Sequence, residues 1–290
     1  MPKANVNDIE IFYEVEGQGE PLLLVMGINA QSIHWPPELI RMLVDVGFKV
    51  ITFDNRDVGF STDFGDERAP STGSLISRRL AGMRVETPYT LDDMAADGFA
   101  LLTALGIDAA HILGASMGGM IAQQMAIQCP ERVLSLTSVM SHTGQRRHFI
   151  SKPRAIHALM GPSPSNAEEA GERVLALMHI IGSPQWLRTD EEYRLLGATA
   201  HERGSSPAGF KRQLAAIMAS PCRDEQLSRL AIPVLVIHGT VDPLILPAGG
   251  RHTASVIPGA QLLLIEGMGH DLPVAKLPEM VEAIRKTSGL

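Results

Sequence analysis

Cysteine is scarce in this chain of 290 residues, with only Cys129 and Cys222. Their spacing fits neither a metal site nor a disulfide framework, and a reducing compartment is expected. Positive charge is in deficit: 25 Lys and Arg against 32 Asp and Glu leave a net charge of -7. That balance gives no electrostatic reason to expect nucleic acid or an anionic membrane surface as a partner. No apolar run is long enough to span a bilayer. The opening MPKANVNDIE lacks the apolar stretch of a signal peptide, so the cytoplasm is the expected location. No Gly-x-Gly-x-x-Gly follows a strand-like run, which argues against a dinucleotide-dependent oxidoreductase. Neither a metal nor a cofactor is expected.

What is present is ordinary for a globular protein: 45% hydrophobic and 20% charged residues. The length suits one large domain or a core carrying an insertion. Residues 8–16 alternate, with Ile9, Ile11, Tyr13 and Val15 on one face and Glu10, Phe12, Glu14 and Glu16 on the other. This predicts a half-exposed antiparallel strand near an edge. Six later runs are short and rich in β-branched residues or leucine, at 21–25, 48–53, 110–114, 133–139, 233–238 and 261–265. Strands covered on both faces look like this. Helical segments lie between several of them. Thr90 with Asp93 makes a capping box ahead of a run to Leu105, residues 118–129 are apolar nearly all round, and a last helix starts near Pro278. Strands alternating with helices predict a doubly wound, mainly parallel α/β sheet.

From Ser141 to about Ser228 the strand pattern stops. Helix starts replace it, at Asn166 with Glu169, Thr189 with Glu192, and Ser206-Pro207. Residues 141–228 therefore read as a helical cap inserted in a core made of 1–140 and 229–290.

The segment HILGASMGGMIAQ, residues 111–123, sets Ser116 between Gly114 and Gly118 where an apolar strand meets a buried helix. A sharp turn there would push the hydroxyl forward, and small residues would let strand and helix cross. A serine needs a base to take its proton. In the order serine, acid, histidine, the chain offers Asp242 after the strand ending in VIH and His270 after the strand ending in LLLI. His270 would be the base, with Asp242 holding its tautomer. Oxyanion donors are expected from the main-chain N–H of Met117, directly after the serine, and of Ile28 in the loop Met26-Gly27-Ile28-Asn29. Met26, Gly27, Met117 and Met268 are expected to line the pocket, with His142 as a further substrate contact. Met120 and His238 are expected in the core, and Arg56 and Asp57 are expected to tie loops together.

Five motifs together, LLLVMG with Asn29 and Trp35 following, FDNRDVGFST, GASMGG, HGTVDP and GMGHDLP, resemble the α/β-hydrolase fold over nearly the whole chain. In detail they are most similar to the small serine esterases of the aclacinomycin methylesterase type, with Met-Gly in the oxyanion loop and Arg-Asp-x-Gly after the fourth strand. The resemblance implies the same triad and oxyanion donors, and a cap placed after the sixth strand. Met26 stands where many relatives have histidine and Asp57 where many have glycine, which bears on substrate choice and leaves the chemistry intact. The expected function is cofactor-independent hydrolysis of a small-molecule carboxylic ester through an acyl-enzyme, by a monomer or homodimer. Carbon–carbon bond hydrolysis, proline iminopeptidase-like or perhydrolase activity, and a ligand-binding protein with little turnover stay open as alternatives.

Overall fold

The apolar runs become six adjacent parallel strands of one eight-stranded sheet. The last of them, at 261–265, is an edge strand with Gln261 and Leu262 exposed, not covered on both faces as expected. A computed structural model of the chain describes residues 1–65, 71–81, 83 and 85–290. The strands are β1 (Lys3–Val6), β2 (Ile9–Glu16), β3 (Glu20–Val25), β4 (Phe48–Phe53), β5 (Ala110–Ala115), β6 (Val133–Val139), β7 (Val234–Gly239) and β8 (Gln261–Ile265). Their spatial order is β1-β2-β4-β3-β5-β6-β7-β8. β1 and β2 run antiparallel at one edge, and the pairs from β3 with β4 to β7 with β8 are parallel. The alternating strand thus lies one place in from the edge. β1, which no periodicity announced, covers it. Phe12, on the polar face of that alternation, is buried beneath the edge of the Phe60 ring.

Helices cover both faces, as parallel strands require. On one side α3 (Leu91–Ala104) and α4 (Met117–Gln128) pack into a cluster with Leu23, Ile51 and Ile112. On the other, α1 (Pro37–Asp45) and α11 (Leu277–Ser288) pack with Leu22, Leu24 and Leu235. α2 (Thr72–Leu80) packs against a helix from the long insertion, and α10 (Pro247–Val256) bridges β7 and β8. The capping box at Thr90 forms, and Thr90 accepts the Asp93 N–H.

The insertion follows β6 and holds α5 (Pro153–Leu159), α6 (Ala167–Ile181), α7 (Asp190–Arg203), α8 (Pro207–Ala219) and α9 (Asp224–Leu227). Asn166, Thr189 and Ser206 cap α6, α7 and α8. α9 packs down on α4 and α10, whereas α6 and α7 pack chiefly on each other. Buried ion pairs tie the helices to the sheet. Arg212 on α8 grips Asp57 through Nε at 2.8 Å and Nη2 at 2.7 Å, with both side chains fully buried. Arg203 on α7 reaches Asp54 at 2.9 Å and stacks 4.1 Å over Phe60. Arg56 donates twice to Asp97, at 2.6 and 2.7 Å. Arg56 and Asp57 thus tie the loop after β4 to helices α3 and α8, where ties between loops were expected. No helix among the described residues is long and apolar enough to cross a membrane.

Removing one partner of a buried pair strands the other charge in a medium that solvates it poorly. Arg212→Met should therefore lower unfolding stability by about 3–5 kcal/mol, measured by urea denaturation.

Candidate active site

β5 ends at Ala115 and α4 begins at Met117, so Ser116 alone makes the turn. It does so at φ 57° and ψ -118°, a conformation that costs an L-residue free energy and persists only where the surroundings impose it. Those surroundings are two close crossings. A Cβ on Gly114 would lie 2.1 Å from the Gly118 carbonyl oxygen, and one on Gly118 would lie 1.9 Å from that of Val25. Only glycine at both positions lets α4 turn back across β5 and β3.

The loops after β7 and β8 bring the other two groups to the same end of the sheet. His270 Nε2 lies 3.0 Å from Ser116 Oγ, and His270 Nδ1 lies 2.7 Å from Asp242 Oδ2. Asp242 is buried, and its other oxygen accepts the N–H groups of Leu244 at 2.8 Å and Ile245 at 3.0 Å. Burial pushes its carboxyl up, but the facing His270 and a hydrogen bond from His238 outweigh that and bring it down to about 2. An ionised carboxylate only accepts, so Nδ1 carries the imidazole proton and Nε2 is left with the lone pair toward Ser116.

Of the two amides expected to receive an oxyanion, that of Ile28 belongs to a residue lining the cleft beside Ser116, and that of Met117 directly follows Ser116 in the chain. The loop after β3 passes so close that a Cβ on Gly27 would lie 3.7 Å from Ser116 Oγ. Among the described residues, neither the Ile28 nor the Met117 N–H bonds a protein acceptor. Met26, Gly27, Ile28, Ser116 and His270 all line one cleft of about 300 Å³. Its far wall comes from the insertion, through Leu177, Met178, Trp186, Tyr193 and Leu196.

Three expected pocket residues lie elsewhere. Met268 is fully buried in the cluster beneath α11, where its carbonyl accepts the Val241 N–H at 3.1 Å. Standing near His270 in sequence did not put its side chain on the same side of the loop. His142 is also buried and away from the cleft, where its Nδ1 accepts the Gly144 N–H at 2.9 Å and its ring meets Phe149 edge-on. The Met117 side chain, also expected at the pocket, is fully buried in the core with Leu23 and Ile112. His238, as expected, is a core residue, with Nε2 2.8 Å from the Ile245 carbonyl oxygen and 3.4 Å from Asp242 Oδ2.

Some cleft groups were not foreseen. His34 lies in the wall, and burial lowers it to about 4, so it is neutral at pH 7. Asp271 also lines the cleft. It is raised by burial and accepts a hydrogen bond from Ser183, not from the neighbouring His270.

Residues 20–176 match the family described as alpha/beta hydrolase fold. The chain belongs to the α/β hydrolase fold family. Rhodomycin D methylesterase DnrP of Streptomyces peucetius is 33% identical over 98% of this chain and 97% of its own length. Its counterpart DauP of Streptomyces sp. strain C5 is 32% identical over the same shares. Among solved structures, the esterase RhEst1 from Rhodococcus sp. ECU1013 superimposes with a TM-score of 0.74 at 23% identity, covering 99% of this chain and 97% of that one. In this hydrolase the eight-stranded sheet carries the family's fold, and the insertion after β6 supplies much of the cleft.

The Asp242 carboxyl moves from 3.8 in its ordinary state to about 2 when folded. A depressed carboxylate contributes stability that is fully present above its unfolded value and lost as pH falls through its folded one. Stability should therefore decline between about pH 4 and pH 2, less steeply in Asp242→Asn, as urea unfolding across that range would register.

Proposed function

We propose that the chain hydrolyses small-molecule carboxylic esters through an acyl-enzyme on Ser116, with His270 as base, Asp242 as its orienting anion, and the N–H groups of Ile28 and Met117 as oxyanion donors. The row from Ser116 Oγ through the imidazole to Asp242, at 3.0 and 2.7 Å, carries the reading. Ser116 Oγ adds to the ester carbonyl carbon while His270 Nε2 takes its proton. Negative charge moves onto the former carbonyl oxygen, where two preset amide dipoles stabilise it more than they stabilise the neutral ester. Collapse expels the alcohol, to which His270 returns the proton. Water then adds to the acyl carbon by the same route and releases the acid.

In this reading residues 141–228 act as a cap that shapes the acyl site. The two named relatives are methylesterases. The cleft is walled by Met26, Leu177, Met178 and Trp186. Methyl esters of bulky apolar acids are accordingly the first substrates to try. Free Cys129 and Cys222 fit a reducing cytoplasm as the compartment.

A fluorophosphonate should label the native protein, and Ser116→Ala should abolish labelling and lower kcat on a methyl ester by roughly 10⁴–10⁶-fold. An unlabelled native protein would point to a ligand-binding role. Turnover of a dienoic keto acid or a proline anilide, with esters untouched, would move the assignment to carbon–carbon or peptide hydrolysis.

A further inference from the structure

Gln213 lies on α8, far in sequence from the site, and is fully buried with both ends of its amide used. Its Oε1 accepts the Asn29 N–H at 2.7 Å, and its Nε2 donates to the Arg56 carbonyl oxygen at 2.8 Å. One residue before Arg56, Asn55 is also buried, and its Nδ2 donates to the Met26 carbonyl oxygen at 3.0 Å. The peptide unit carrying the Ile28 N–H therefore lies between two side-chain clamps, Asn55 on the unit before it and Gln213 on the unit after it. Its own carbonyl, that of Gly27, accepts the Ala30 N–H at 3.3 Å. Asn29 stands at φ 55°, a left-handed conformation that asparagine tolerates better than most residues but that still needs support.

We infer that Gln213 is a positioning residue for the oxyanion hole: an amide supplied by the insertion holds the loop after β3 so that the Ile28 N–H is aimed at the developing oxyanion. The inference rests on the proposed role of Ile28. A donor in a hole works because it is already oriented when charge appears, and a donor free to swing must reorganise during the step. Loss of the Gln213 clamp should thus weaken binding of the transition state and leave binding of the ground state alone.

The test compares Q213L, which removes both hydrogen bonds, with Q213E. In Q213E a buried carboxyl kept neutral by desolvation can still accept from Asn29 and donate to the Arg56 carbonyl. Q213L should lose roughly 10–100-fold in kcat and in affinity for a trifluoromethyl ketone, whose adduct with Ser116 places an oxyanion in the hole. KM and affinity for a neutral ether analogue of the substrate, which lacks the carbonyl, should stay near native values, and Q213E should recover most of the loss. Should Q213L fail to fold, Q213N carries the same test, because its shorter arm cannot span Asn29 and Arg56. Ketone affinity in Q213L or Q213N equal to that of the native protein would overturn the inference. So would a parallel fall in ketone affinity, ether affinity and Tm, since that pattern belongs to a residue that only stabilises the fold. A native protein that forms no ketone adduct would overturn the reading of the hole itself, which separates the two failures.

Discussion

Everything at the cleft depends on how closely α4 crosses β5. The glycines at 114 and 118 leave no room for a methyl group between the helix and the strands beneath it. This crossing forces Ser116 into positive φ and sets its hydroxyl toward the loops after β7 and β8. It also starts α4 right beside the serine, so the first free amide of the helix, with the positive end of its dipole, adjoins the Ser116 residue. A single steric constraint thereby holds Ser116 in a strained conformation and sets the positive end of a helix dipole beside its hydroxyl.

A second layer of polar contacts joins the insertion to the core. Arg203 and Arg212 reach Asp54 and Asp57 from α7 and α8, and Gln31 donates to the carbonyls of Ala200 and Gly204 at 2.7 and 2.9 Å. These groups are directional and mostly buried, so they define one docking geometry more sharply than apolar packing would. The loops they grip follow β3 and β4, and the first of them carries Ile28.

Much of this was legible in the letters. Seven of the eight strands were marked by apolar or alternating runs, and the helix starts at Thr90, Asn166, Thr189 and Ser206 were marked by side chains that accept main-chain N–H groups. Ser116, Asp242 and His270 were legible because each follows a strand end in a parallel sheet, where such ends share one rim. Other features left weaker traces. β1 buries only Val6, too little for a period to show. α10 contains Gly249 and Gly250, which disfavour a helix, yet a Cβ on Gly250 would lie 2.4 Å from the His238 ring, so glycine serves packing there. Met268 and His142 show that proximity along the chain does not give side-chain direction. Gln213 carried no signal, because its meaning lies wholly in partners more than a hundred and fifty residues away.

The C-terminal end of α6 has a further consequence. The Ile181 carbonyl accepts the His270 N–H at 2.6 Å, and a Cβ on Gly269 would lie 2.4 Å from the carbonyl oxygens of Ile181 and Gly182. The backbone of the imidazole's loop is thus seated on the insertion. Anyone recutting this cavity for a different acid has latitude at Leu177 and Met178, one turn earlier on the same helix. At 181–183 a change of length or bulk would disturb the seat of His270, so the wall of the cleft and the loop that carries the imidazole share one anchor.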